Sequence, residues 1–112
     1  MITLVETNPV ARVQHRCNLC GRRIEPGEQY NRQRNIHDGR AYTFKDCAHC
    51  QAMVQTYNRL EGDWYDAWEG YTQDDLHEYE PTTMPGARLR AMFRRQWRRR
   101  DGGLYDVPER VS

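Results

Sequence analysis

Hydrophobic positions are sparse along this chain, and their spacing changes as it runs. Residues 1–14, MITLVETNPVARVQ, read as an extended lead-in. Ile24-Glu25-Pro26-Gly27-Glu28 reads as a turn leading into a strand, Gln29-Tyr30-Asn31-Arg32. His37-Asp38-Gly39-Arg40 is a second turn. Asp-Gly is a favoured hairpin dipeptide because both residues tolerate positive φ. Ala41-Tyr42-Thr43-Phe44 then supplies the returning strand. Beyond Cys50 the run Gln51–Leu60 holds neither Gly nor Pro, and Cys47, Cys50, Met53, Val54 and Tyr57 fall on one helical stripe. Asp46 is the candidate N-cap of that helix, and Gly62 its stop.

In the second half, Trp64, Trp68 and Tyr71 recur at i, i+4 and i+7, the spacing of one helical face. Thr72-Gln73-Asp74-Asp75 has the form of a capping box with Asp in place of Glu. It opens a short helix carrying Leu76 and Tyr79 that closes at Pro81. Residues 84–100 predict a longer helix, with Pro85 in its first turn. Leu89, Met92, Phe93 and Trp97 form its apolar stripe, and arginines in its last turn complement the helix dipole. Asp101-Gly102-Gly103 opens a loose tail. The chain therefore divides into an extended segment (1–14), a cysteine module (15–61), an acidic-aromatic segment (62–82), an Arg-rich amphipathic helix (84–100) and a flexible tail (101–112). No internal repeat is present.

Composition narrows the possibilities. At 112 residues and 13.4 kDa the chain makes one domain. With 38% hydrophobic residues and a mean hydropathy of −1.05, its core is thin, so something besides apolar burial is expected to hold it. No apolar run approaches the ~18 residues that a membrane span needs. The N-terminus lacks the pattern of a secretory signal. A cytoplasmic protein with reduced thiols is the expectation, so the four cysteines read as metal ligands before disulfides.

The formal charge of +1 conceals three blocks. Residues 1–60 carry nine Lys/Arg and five Asp/Glu, residues 61–81 carry eight acids and no Lys or Arg, and residues 82–112 carry eight arginines and three acids. Such blocks either pair within the molecule or face separate partners. Of the 17 basic residues only Lys45 is a lysine, which favours forked contacts to phosphate or carboxylate.

The cysteines carry the clearest chemistry. Cys17 and Cys20 form one C-x-x-C pair and Cys47 and Cys50 another, and each pair can occupy one edge of a tetrahedron around a metal ion. Gly21 after the first pair permits a tight knuckle, whereas the second pair leads into a helix. A rubredoxin-like iron site would want a Gly-bearing knuckle after both pairs. Structural Zn²⁺ on Cys17, Cys20, Cys47 and Cys50 is the expectation. Arg16, Arg22, Arg23 and Lys45 lie near enough in sequence to offset the charge of four thiolates. His49 sits between two ligands and belongs on the helix surface in this reading; His15 is the other flanking histidine.

The order of knuckle, β-hairpin and helix over residues 15–61 resembles a treble-clef zinc finger. The run Cys17-x-x-Cys20-x-x-x-Ile24-x-x-Gly27-Glu28 is similar to the opening of LIM-type and PARP-type treble clefs. It is also similar to small uncharacterised zinc-finger proteins of actinobacteria and their phages. A LIM domain would add a second zinc module, and a PARP-type finger would use His and Cys where this chain has Cys47 and Cys50. The resemblance implies a small α+β, zinc-stabilised fold followed by C-terminal helices. If the protein is phage-encoded, its compartment is the host cytoplasm.

Function is read from the rest. Arg88, Arg90, Arg94, Arg95, Arg98, Arg99 and Arg100 surround the apolar stripe with no acid among residues 88–100, and Trp97 is a candidate for stacking on a base. A non-catalytic, zinc-organised module that binds nucleic acid is therefore expected. The alternative is a protein–protein adaptor or inhibitor, possibly phage-encoded and aimed at a host protein, with Trp64, Trp68 and Tyr71 as the contact surface. A treble clef can also be built into an HNH-like nuclease, for which Asn35 and His37 are the nearest residues; a second His placed as ligand or base is missing. No membrane and no small-molecule substrate are expected.

Overall fold

The computed structural model describes residues 2–60, 76, 78 and 80–108. Strand β1 (Ile2–Thr7) is followed by two short strands, β2 (His15–Arg16) and β3 (Arg23–Ile24). These pair with each other around the first cysteine turn. The long strands β4 (Tyr30–His37) and β5 (Arg40–Cys47) lead into helix α1 (Ala48–Leu60), and helix α2 spans Met84–Arg94. The result is a small α+β fold with a three-stranded antiparallel sheet in the order β1-β4-β5 and a two-stranded β2-β3 ribbon.

The β4–β5 hairpin turns on Asp38 and Gly39, both at positive φ (52° and 76°). That matches a two-residue turn whose twist suits the flanking strands. The strands run further than local propensity suggested, from Tyr30↔Cys47 to His37↔Arg40. Asn31 and Asn35 are poor strand formers by composition, yet both are buried inside the sheet. A ladder of amides links them: Asn35 Nδ2 donates to Gln33 Oε1 (3.3 Å), Gln33 Nε2 to Asn31 Oδ1 (2.9 Å), and Asn31 Nδ2 to Asn8 Oδ1 (3.3 Å), while Asn35 Oδ1 finds no partner among the described residues. The lead-in is likewise more than extended chain. Residues 2–7 pair with β4 as the third strand, with a register irregularity between Thr3 and Val5.

The helices also differ from expectation. Asp46 does not cap α1, because β5 continues through Cys47 and the helix starts only at Ala48. The Asp46 side chain is buried, and burial, then the nearby Cys17 and Cys47 charges, raise its carboxyl to a pKa of about 8. Helix α2 opens as its sequence suggests, with a Pro in its first turn and Thr83 as N-cap accepting from Gly86 N (3.1 Å). It ends at Arg94 rather than running to residue 100. Gln96 and Trp97 take left-handed φ values of 54° and 62°, which no helix permits.

One core cluster holds the molecule together, and the cysteines belong to it with Ile24, Tyr30, Met53, Leu89, Phe93 and Trp97. Leu76, from the predicted short helix, is fully buried in the same cluster. Trp64, Trp68 and Tyr71 lie outside the described residues. Among the described residues, no helix is long and apolar enough to cross a membrane.

Candidate metal centre

Two elements bring the cysteines together. The turn between β2 and β3 supplies Cys17 and Cys20, closed by Cys17 N to Arg22 O (2.8 Å) and Gly21 N to Cys17 O (3.1 Å). Gly21 sits at φ 79°, where a side-chain-bearing residue would be strained. The end of β5 supplies Cys47, and the first turn of α1 supplies Cys50. Asn18 locks the two parts together: its N donates to Lys45 O (2.8 Å), and its Oδ1 accepts from Lys45 N (2.8 Å).

All four thiol sulfurs lie within 4.8 Å of one another, and Cys20 Sγ is 3.9 Å from Cys47 Sγ. Sulfurs at the ~2.3 Å bond length of a tetrahedral zinc thiolate would stand about 3.8 Å apart, close to the Cys20–Cys47 separation. Every ligand is at most 4% exposed. Backbone N–H groups converge on the sulfurs as they would on thiolates. Cys17 Sγ accepts from Leu19 N and Cys20 N (3.4 Å each) and from Cys47 N (3.3 Å), and Cys20 Sγ accepts from Arg22 N (3.4 Å). Hydrogen bonds from its neighbouring thiols hold Cys17 well below the usual thiol range, while burial and the adjacent sulfurs push Cys50 well above it. Four buried thiolates cannot coexist uncompensated, so a bound cation is the charge this cluster needs. The four cysteines can hold a metal ion.

Positive charge stands beside the cluster. Arg22 is 2% exposed and forms a forked pair with Glu28, Nη1 to Oε2 at 3.1 Å and Nη2 to Oε1 at 3.0 Å. Burial works against its charge, yet Glu28 and Cys47 hold the guanidinium above its ordinary range. Glu28 also accepts from Glu25 N (2.7 Å). Burial pushes the Glu28 carboxyl up, but Arg22 and that N–H outweigh it and set the carboxyl below its usual value.

The chain beyond α2 closes over the other side of the cluster. Gln96 Nε2 donates to Cys20 O (3.0 Å), and Trp97 Nε1 donates to Cys50 Sγ (3.3 Å). Trp97 is 0% exposed. The strap continues through Tyr105, whose N donates to Trp97 O (2.8 Å) and whose carbonyl accepts from His49 Nε2 (2.6 Å). His49 is thus buried between Cys47 and this strap rather than lying on the helix surface. Its ring also stands against Trp97, with centroids 5.5 Å apart. Left-handed φ at two consecutive non-glycine residues is costly, and these contacts are what hold it.

This placement corrects the assignment of Trp97 as a base-stacking residue, because its ring has no exposed face to offer. The arginines around it are disposed differently. Arg88, Arg94, Arg95, Arg98, Arg99 and Arg100 are exposed, while Arg90 is half-buried and pairs with Glu80 at 3.1 Å. Arg98 Nη1 donates to Gly102 O (3.1 Å), and Arg99 Nε is 3.6 Å from Asp101. Asn35 is 1% exposed within the amide ladder, and His37 lies at the hairpin tip beside Asp38 (3.4 Å). Gln96 and Trp97 were missed as metal-site residues by the sequence reading. Nothing local marks them, because their role follows from a left-handed turn that has no Gly. Comparison with protein-family models, with curated proteins and with solved structures returns no match.

Proposed function

We propose that this protein is a non-catalytic zinc module of treble-clef type that binds nucleic acid through the arginines of residues 88–100. Four thiolates at tetrahedral spacing favour Zn²⁺ over harder cations. A shell made entirely of protein ligands, with none exposed, leaves no position for a reacting water, which is the mark of a structural site. The two ligand pairs, from a tight knuckle and from the start of a helix after a hairpin, support the treble-clef reading.

One observation carries the nucleic-acid reading. Trp97 is buried against Cys50 and the exposed Gln96 bonds Cys20 O, while Arg94, Arg95, Arg98, Arg99 and Arg100 remain exposed on either side of them. The metal centre therefore fixes a display of guanidinium groups, reducing the ordering that a polyanion would otherwise impose on a loose tail. Phosphate contact by such groups is forked and strongly salt-dependent. The test is charge reversal of Arg94, Arg95, Arg98 and Arg99 to Glu, with binding to DNA and RNA measured across salt concentrations. Loss of binding with full zinc content is the expected result; retained affinity overturns the reading.

A further inference from the structure

The three-stranded sheet segregates charge by face. Strand alternation and the observed register put Arg32, Arg34 and Ile36 of β4 on the same side as Ala41, Thr43 and Lys45 of β5. Thr7 and Val5 of β1, opposite Arg32 and Arg34, join that side. It carries three cations and no acid. Glu6 and Asp46, opposite Gln33 and Asn31, fall on the other side with the amide ladder. Arg32 and Arg34 are exposed and Lys45 is half-buried.

Two of the cations, Arg34 and Lys45, are held in place by neutral groups. Arg34 Nη1 donates to Thr43 Oγ1 across the strands (3.0 Å). Lys45 Nζ lies 3.2 Å from His15 Nδ1. An ammonium can only donate, so Nδ1 accepts, and the proton of the neutral ring sits on Nε2, which donates to the Tyr30 hydroxyl (3.4 Å). His15 also packs against the Tyr30 ring, with centroids 4.9 Å apart. Lys45 is thus anchored by an imidazole rather than by a carboxylate. Directly opposite it in the register is Arg32. Like charges facing each other across strands are destabilising, and no acid is interspersed among them on this face.

A series of contacts leads from Lys45 and His15 to the C-terminal segment. Arg16, next to His15, donates from Nη1 to Gly21 O (2.8 Å). The Gly21 turn lies against Gln96, whose Nε2 is 3.4 Å from where a Gly21 Cβ would stand. Gln96 is flanked in the chain by Arg95 and, past Trp97, by Arg98.

From this geometry we infer that Arg32, Arg34 and Lys45 form a second phosphate-binding surface, and that one nucleic acid contacts it together with the C-terminal arginines by way of Arg16. The ligand chemistry is the phosphodiester backbone, recognised by charge without reading bases. The inference rests on the nucleic-acid reading proposed above, and the two can fail separately.

The experiment uses the zinc-loaded full chain with single-stranded and duplex DNA, and with anionic phospholipid vesicles as a competing polyanion. Three proteins are compared with wild type: Arg32→Gln/Arg34→Gln/Lys45→Gln, the C-terminal charge-reversal variant, and Arg40→Gln as a control cation on the opposite face of the sheet. Zinc content and thermal unfolding establish that each is folded. The sheet variant is expected to weaken DNA binding roughly ten- to hundredfold near physiological salt and to lower the slope of log K against log salt by about 2 to 3. Arg40→Gln should move both far less.

If wild type binds DNA, the C-terminal variant does not, and the sheet variant matches wild type, this inference is overturned and the function above stands. If only the sheet variant loses binding, the sheet face stands and the C-terminal assignment fails. No binding by wild type overturns both. An Arg40→Gln effect as large as that of the triple variant overturns the sheet face as a site, as does a triple-variant defect confined to vesicles.

Discussion

Trp97 joins two parts of the chain that are 47 residues apart, because its indole N–H ends on Cys50 Sγ. A hydrogen bond to a thiolate lowers the energy of the charged ligand, and the buried ring excludes water from the same sulfur. Trp97→Phe keeps most of the volume and loses the donor, so it should cost about 1 to 2 kcal/mol and speed metal transfer to a chelator. Trp97→Ala should cost about 3 to 5 kcal/mol through the cavity it leaves. Thermal unfolding and chelator competition measure both; a Trp97→Phe protein indistinguishable from wild type would mean that the N–H contributes nothing.

Glu28 is the second residue on which much depends, since among the described residues it is the acid paired with the buried Arg22. Glu28→Gln should destabilise the fold by about 2 kcal/mol at neutral pH, less than for a fully buried pair because Glu28 itself is partly exposed. Its carboxyl is lowered in the folded state, so the stabilisation is present above the ordinary carboxylate range and is lost as pH falls through the lowered value. The stability gap between wild type and Glu28→Gln should therefore close on acidification. A gap that persists unchanged would show that the ion pair is not its source.

At the scale of elements, the decisive feature is where α2 stops. A helix continued to residue 100 would carry Trp97 on its apolar stripe, as Leu89, Met92 and Phe93 suggest from their spacing. The observed chain instead leaves the helix after Arg94 and uses two left-handed residues to reach the metal centre. A chain ending at Arg94 should keep both ligand pairs yet release its metal at least about tenfold faster, because the Gln96 and Trp97 contacts are gone. Metal-release kinetics test this, and an unchanged rate would mean the strap is ornament to the site. The β4–β5 hairpin was legible in advance because Asp38-Gly39 specifies the turn locally. Strand β1 was not, since an edge strand with Thr, Glu and two exposed apolar residues, Leu4 and Val5, gains its order only from pairing with β4.

For the whole molecule, the four-cysteine cluster lies within the described apolar core rather than beside it. Without a bound cation, the four sulfurs at the middle of the core would repel one another as thiolates or have to take up protons. Binding of structural zinc is worth about 10 to 16 kcal/mol, more than the net stability of most domains. Chelation at neutral pH should therefore abolish cooperative unfolding of the sheet, α1 and α2 together, seen as loss of the thermal transition by circular dichroism. Cys20→Ser should weaken the transition in the same way. A melt that survives chelation would show that apolar packing suffices.

The ligand pairs, the turn after Cys20, the hairpin and the start of α2 are each specified within a few neighbouring residues, by C-x-x-C spacing, glycine at positive φ and the Thr83-Met84-Pro85 cap. Short-range chemistry of that kind can be read from the chain alone. The end of α2, the inward turn of Trp97, the burial of His49 and the concentration of cations on one sheet face depend on residues distant in sequence. Trp97 has equal local reason to stack on a base or to enter a core. Its choice is set by Cys50, which the fold brings against it, and no periodicity within residues 84–100 contains that fact.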